Sequence, residues 1–222
     1  MITASKSAWF EQIFSLYNRS LFWRRFKHLR VAGTENLRAR DIQIPLVLYA
    51  NHSSWWDPLI VHAINRNTKL DAYAMMEEKN LRKLRFFRKI GAFSVVRENP
   101  REAVKSIRYA VSLLKTKQNR AVWIFPQGEI LPNDRRPLNF YHGLARVIEQ
   151  TNGCYVAPVA MRYEFLEDFK PEAFARIGQL EFFGKIANSK ILTVDLMRKL
   201  TLTLDRIKVD ILEMNFNDYE IW

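Results

Sequence analysis

Short apolar runs of strand length alternate with amphipathic stretches of helical length along most of the chain, and nothing else in the sequence restricts its fold as much. Residues 44–50 (IPLVLYA) form an unbroken apolar run, the pattern of a strand buried on both faces. Comparable runs occupy 28–33, 70–75, 93–96, 121–125, 155–161 and 179–183. Helical patterns fall between them at 57–65, 77–90, 99–117 and 138–151, and 189–214 reads as a long helix open to interruption. Pro58 and Pro100 follow Asp57 and Asn99, the order of an N-cap and a proline at the first helical position. Strands separated by helices run parallel, because a crossover is needed to return to the same end of the sheet. The expected fold is α/β, with a mixed, largely parallel central sheet flanked by helices. Functional groups in such folds gather just past the C-terminal ends of the strands.

The first 27 residues differ. Phe10, Ile13, Phe14, Tyr17 and Leu21 repeat at helical spacing, with Lys6, Arg19, Arg24, Arg25 and Lys27 among them. This predicts an amphipathic helix, broken near Asn18-Arg19-Ser20, that either packs on the core or lies in a membrane surface. The expected organisation is an N-terminal amphipathic, membrane-contacting helical segment at 1–27 and an α/β domain at 28–222.

Lys and Arg number 35 against 23 Asp and Glu, a formal net charge of +12. Such a surface draws polyanions, of which nucleic acid and the anionic face of a bilayer are the usual cases. The 15 Phe, 8 Tyr and 6 Trp, many beside a cation, suit a lipid headgroup layer and also single-stranded nucleic acid, so composition leaves both open. A single cysteine, Cys154, excludes an internal disulfide and fits a cytosol-facing setting. It reads as a buried structural residue. No stretch reaches the roughly 18 consecutive apolar residues of a spanning helix, and the N-terminus lacks the apolar core of a signal peptide. Membrane contact is therefore expected to be peripheral or monotopic. His28, His52, His62 and His142 lack metal-ligand spacing, and there is no P-loop or nucleophile elbow, so no metal is expected.

Asn51-His52-Ser53-Ser54-Trp55-Trp56-Asp57-Pro58 follows the run at 44–50 directly. His52 and Asp57 are five residues apart across a loop that turns into a helix, so the carboxylate can accept a hydrogen bond from one ring nitrogen. That contact fixes the tautomer and leaves the other nitrogen as a base. It is the base-and-orienter half of a catalytic triad, in which a substrate hydroxyl takes the place of a protein nucleophile. Spacing alone equally allows a surface histidine and an aspartate that only caps the helix. Asn51 and Ser54, in the same turn, are candidate substrate contacts. Phe125-Pro126-Gln127-Gly128-Glu129 closes the run at 121–125. Gly128 lets the backbone approach a ligand, and Gln127 and Glu129 offer polar contacts, although by itself the segment is a plain strand-to-loop turn. Arg97 ends the segment GAFSVVR and suits a phosphate, a carboxylate or simply solvent. Pro158, within VAPVA, marks an edge strand or a bulge.

In chain order, an NHxSxxD-like turn, a GxxxVxR strand, FPxG and an apolar segment with a central proline resemble the glycerolipid and lysophospholipid acyltransferase family, over residues about 28–165. The resemblance implies that His52 is a general base and Asp57 its orienter. It also implies that Arg97 helps hold the phosphate of a 1-acylglycerol-3-phosphate acceptor, or of a related lysolipid, and that Pro158 lines an acyl pocket. The family's third motif usually reads FPEGTR-S. Phe125, Pro126 and Gly128 match it, whereas Gln127, Glu129 and Ile130 stand in place of the glutamate, threonine and arginine. The lost arginine removes a phosphate ligand, and Glu129 would repel a phosphate dianion. Arg135 and Arg136, a few residues on, are candidates to compensate. A glycolipid, a glycosylated carotenoid or another uncharged lipid alcohol is the alternative acceptor.

The expected activity is O-acyl transfer to a lipid hydroxyl from a thioester, with acyl-CoA or acyl carrier protein as co-substrate and no cofactor. Backbone N–H groups near Gly128 are expected to stabilise the oxyanion. The expected partners are the membrane lipid surface, at its cytoplasmic face, and the donor carrier. No nucleic acid is expected, since a nucleic-acid module has no use for a His–Asp pair at a strand end. Two readings compete with this one: a non-catalytic basic protein that binds membranes or nucleic acid, and a hydrolase that directs the same pair at water.

Overall fold

The computed structural model describes all 222 residues. In chain order the elements are α1 (Ala8–Arg25), β1 (Leu29–Ala32), α2 (Thr34–Arg38), β2 (Leu46–Ala50), α3 (Asp57–Asn67), β3 (Asp71–Glu77), α4 (Glu78–Lys83), β4 (Ala92–Val95), α5 (Pro100–Thr116), β5 (Arg120–Ile124), α6 (Gly143–Thr151), β6 (Cys154–Glu164), β7 (Glu172–Ile177), β8 (Glu181–Phe183), α7 (Ser189–Leu212) and β9 (Tyr219–Ile221). The strands form one sheet in the order β4-β3-β5-β2-β6-β7-β1-β9, with β8 beside the start of β6. From β4 to β6 every pairing is parallel. β7 then runs antiparallel to β6 and parallel to β1, and β9 is antiparallel to β1. The sheet is mixed and largely parallel, as the alternation of runs predicts.

The sequence of β2 explains its central place. All five of its residues are buried. Successive side chains point to opposite faces, so Val47 and Tyr49 enter the core under α5, α6 and α7, while Leu46, Leu48 and Ala50 enter the core under α1 and α3. Tyr49 completes its burial by donating to the Leu196 carbonyl of α7 at 3.2 Å. The chain leaves β2 through α3 toward β3 on one side and leaves β5 through α6 toward β6 on the other. The adjacent ends of β2 and β5 are therefore the point where the winding of the sheet reverses, the usual place for a binding crevice.

Several local expectations change. α1 is continuous through 18–20, because Asn18 is buried in the seam with α3 and its amide donates to the Leu59 carbonyl at 3.0 Å. The stretch 77–90 is not one helix: β3 runs on to Glu77, α4 stops at Lys83, and a 3-10 turn over Arg85–Ile90 ends at Gly91. Gly91 has φ +103°, and a Cβ there would lie 2.7 Å from the Ala72 carbonyl oxygen. The helix expected from 138 begins only at Gly143, because the connection before it is drawn to the site, with Tyr141 N–H donating to the Pro126 carbonyl at 2.9 Å. β7 and β9 were not anticipated, and α7 is uninterrupted. The segment 1–27 is tied into the domain: Ile2 and Ser94 exchange two hydrogen bonds, and Ser5 and Ser7 donate to the Arg88 and Lys89 carbonyls. No helix is long and apolar enough to cross a membrane.

The α1–α3 seam closes over His62, which is buried against the edge of the Phe14 ring at 4.9 Å and lies 3.5 Å from the Asn18 amide. Burial, reinforced by Arg66 and Lys6, pushes its pKa down to about 4. An unfolded histidine titrates near 6.5. Between those values the unfolded chain takes up a proton that the folded chain does not, so stability falls as pH drops through that window, by about 3 kcal/mol. Replacing His62 by Leu should move the midpoint of acid unfolding, followed by circular dichroism, to lower pH. A midpoint unchanged or raised in this variant contradicts the assignment.

Candidate active site

His52 lies two residues past the end of β2, and Asp57 is the first residue of α3. The two side chains meet: His52 Nδ1 is 2.7 Å from Asp57 Oδ2. Asp57 is fully buried, and His52 remains one-fifth exposed. Trp56, not Asp57, occupies the helix-capping position, without a side-chain bond. The carboxylate turns back over the loop instead, where Oδ2 also accepts from the N–H groups of Ser53 (2.7 Å) and Ser54 (2.9 Å). Its other oxygen accepts from the Tyr163 hydroxyl at 2.5 Å. With four donors converging on this carboxylate, His52 Nδ1 carries the proton, and Nε2 holds the lone pair of a base.

The loop after β5 fixes the backbone of His52 from both sides. Gln127 Oε1 accepts its N–H at 2.9 Å, and Leu131 N–H donates to its carbonyl at 2.8 Å. Gln127 is buried and works here as a positioning group; an amide oxygen accepts this bond as a carboxylate would. Phe125 stacks near the His52 ring, with centroids 4.6 Å apart. Gly128 has φ +74°, and a Cβ on it would sit 2.0 Å from Arg97 Nη1. That close approach lets Arg97 donate to the Gly128 carbonyl while its other amino group pairs with Glu77 at 3.1 Å. The guanidinium also lies over the Tyr141 ring.

His52, Arg97, Phe125, Pro126, Gly128 and Glu129 line one cleft of about 690 Å³, whose remaining lining is mostly apolar. The other expected contacts lie elsewhere. Asn51 is buried and fully engaged, its amide bridging β2 to Met161 N–H and C=O at 2.8 and 2.9 Å and reaching Asn133. Ser54 is a turn residue whose Oγ accepts from Trp56 N–H. Arg135 is exposed outside the cleft. Arg136 is held by Asp205 and by the carbonyls of Asn133 and Arg135. Pro158 is buried in mid-sheet rather than on the cleft wall. Lacking an N–H, it faces the bend between β7 and β8, where a Cβ on Gly178 would touch its ring at 2.7 Å. The Gly128 N–H is taken by the Phe125 carbonyl at 3.0 Å, so it is not a free oxyanion donor. Cys154 is buried, as its apolar neighbours implied, and burial pushes its thiol up to about 12.

Tyr163 is the functional residue the sequence concealed. It lies 106 positions from Asp57, on a part of β6 beyond the expected strand end at 161. Burial and the neighbouring carboxylate push its phenol well above its ordinary range, so it remains a donor.

A histidine paired with a buried carboxylate, facing an apolar cleft, is the arrangement used by group-transfer enzymes that activate a hydroxyl of the substrate. Similarity to known proteins places the chain more closely. Residues 28–162 match the model of the Acyltransferase family, and the chain belongs to that family. A segment of 92 residues is 36% identical to a 1-acyl-sn-glycerol-3-phosphate acyltransferase of Streptococcus pneumoniae (strain ATCC BAA-255 / R6), covering 40% of this chain and about a third, 33%, of that protein. Among solved structures, the 1-acyl-sn-glycerophosphate (LPA) acyltransferase PlsC of Thermotoga maritima superimposes with a TM-score of 0.65 at 18% identity, over 89% of this chain and 80% of that one. At that identity the likeness is one of fold.

Replacing Tyr163 by Phe removes one charge-assisted hydrogen bond from Asp57 and should lower kcat about tenfold or more, given about 1.5–3 kcal/mol for such a bond. The KM of the acceptor should change little, and the melting temperature should fall, since a buried carboxylate loses one of its donors. A shifted acidic limb of the pH–rate profile would separate positioning from a structural role, and full activity in Tyr163→Phe would remove it from the site.

Proposed function

We propose that the chain is an O-acyltransferase that moves a fatty acyl group from a thioester, acyl-CoA or acyl carrier protein, to the hydroxyl of a lysolipid or related lipid alcohol. The observation that carries this is the His52–Asp57 contact at 2.7 Å, with the ring opening on an apolar cleft. His52 Nε2 takes the proton of the acceptor hydroxyl as its oxygen attacks the thioester carbonyl. The imidazolium, facing the Asp57 carboxylate, is stabilised through the tetrahedral intermediate. When that intermediate collapses, the carbon–sulfur bond breaks, and the proton passes from His52 to the departing thiolate. The products are an ester and a free thiol. The relatives' names supply 1-acyl-sn-glycerol-3-phosphate as the reference acceptor.

Substrate and product are amphiphiles, which supports work at a bilayer surface. The outer face of α1 carries Trp9, Leu16 and Trp23, exposed by 66, 71 and 77%, with Ile13 and Tyr17 between them. This row recurs at helical spacing opposite the buried Phe14, Asn18 and Phe22. Arg19, Arg24 and Arg25 flank it. Bulky apolar side chains with cations beside them suit the headgroup layer of an anionic membrane. In that reading the helix uses one face for α3 and the other for lipid.

Two outcomes are expected. His52→Ala should abolish ester formation from acyl-CoA and a lysolipid, measured by mass spectrometry, while the circular dichroism spectrum is retained; an active variant removes the base. Changing Trp9, Leu16 and Trp23 together to Ser should reduce co-flotation with anionic liposomes about tenfold or more, since each exposed apolar side chain contributes about 1 kcal/mol or more on insertion. Unchanged flotation assigns membrane contact to another surface.

A further inference from the structure

The outer face of α7 is apolar where a solvated helix is normally polar, and its few charges are placed to meet a second copy of the same helix. α7 is 24 residues long and buries Leu192, Leu196, Leu200, Leu204 and Ile207 against the core. On its far side Ile191, Val194, Leu202, Val209 and Leu212 are exposed, by 39 to 74%. Arg198 and Asp205 stand in the same row and are exposed as well. At about 100° per residue these seven fall within one sector of about 80°, centred opposite the buried face. None of them lines the cleft, and α1 packs on the other face of the sheet.

The row reads nearly the same in both directions. About a point between Thr201 and Leu202, Ile191 corresponds to Leu212, Val194 to Val209 and Arg198 to Asp205. This is the requirement of an isologous contact, in which each residue of one copy meets its counterpart on the other. Two α7 helices packed antiparallel bring Arg198 of each copy to Asp205 of the other. The two Leu202 side chains then meet at the axis, with apolar pairs at both ends. Parallel packing in register sets arginine against arginine and aspartate against aspartate, which repel. Within the chain Arg198 holds Asp195 at 3.0 Å and Asp205 accepts from Arg136 at 2.9 Å, both at the surface. Exposed pairs of this kind stabilise little, so turning them toward a partner costs little. A lipid surface would cover the apolar residues, but its anionic headgroups would repel an aspartate in the middle of the row. We propose that α7 is the contact of a symmetric, antiparallel homodimer. The row spans about 32 Å of helix, a small interface, so the dimer forms and dissociates with concentration.

Sedimentation velocity of the full chain, over a wide range of concentration, should show a monomer–dimer equilibrium. Arg198→Glu and Asp205→Arg should each weaken it about tenfold or more, the effect of like charges set against each other. The double variant Arg198→Glu, Asp205→Arg should recover the dimer, and the two single variants mixed together should form a heterodimer. Circular dichroism checks that each variant is folded. Orientation is read by oxidative cross-linking: Ile191→Cys mixed with Leu212→Cys should link, and Ile191→Cys alone should not. Changing Trp9, Leu16 and Trp23 to Ser should leave the dimer in place. A chain that is monomeric at every concentration overturns the proposal. So does a dimer indifferent to both charge variants, or one lost in the α1 variant, since either puts the contact elsewhere. A Leu202→Glu variant that loses binding to neutral liposomes, from a wild type that never dimerises, assigns the row to lipid instead.

Discussion

The site depends on a single buried carboxylate. Asp57 has no solvent contact, and an ion in that position is stable only if its hydrogen-bonding capacity is filled. Four groups fill it, and they come from two places: the ring and two backbone N–H groups of the turn after β2, and the phenol of β6. Its position in the first turn of α3 adds the favourable end of the helix dipole. The interaction that orients the base thus also fixes how the loop leaves β2 and how α3 approaches the sheet. Losing any one donor would leave a charge partly unpaired in a low-dielectric setting, which ties catalytic geometry to local stability.

A second clamp acts on the backbone. Gln127 and Leu131 hold the N–H and the carbonyl of His52, and Asn51 next to it joins β2 to β6 through Met161. Residue 52 is therefore held at its side chain, its N–H and its carbonyl, by groups distant in sequence. Such convergence is possible because β2 and β5 are neighbours whose connections diverge, so the two loops face each other across the crevice.

The alternation of apolar runs made the parallel half of the sheet legible, because each strand there is separated from the next by a helix with its own periodicity. The His–Asp pair was legible for a similar reason: both members lie within one turn. What escaped was non-local. β7, with the sequence EAFARI, follows β6 across a short turn, and neither its length nor its pattern separates it from a loop without knowledge of its partners β6 and β1. Asn18 read as a helix breaker because its compensating acceptor, the Leu59 carbonyl, is on another helix. Asn51 and Pro158 read as substrate contacts because the motif joins structural and chemical residues in one string. Arg135 and Arg136 read as phosphate ligands because proximity in sequence does not specify direction, and Asp205 on α7 draws one of them away.

The loop after β5 divides its residues between two surfaces, one that holds the backbone of His52 and one that faces the cleft. The contacts that position His52 use Gln127 and the backbone of Leu131, whereas positions 129 and 130 project into the cleft. Replacing a glutamate by Gln127 preserves the one acceptor atom that His52 needs. Glu129 and Ile130 make none of the contacts that hold His52. The two sets of residues share a loop but not their contacts, so a change at 129 or 130 leaves the hydrogen bonds on the His52 backbone in place. The geometry at His52 thus depends on Gln127 and the backbone of this loop, and the lining of the cleft on the side chains that follow.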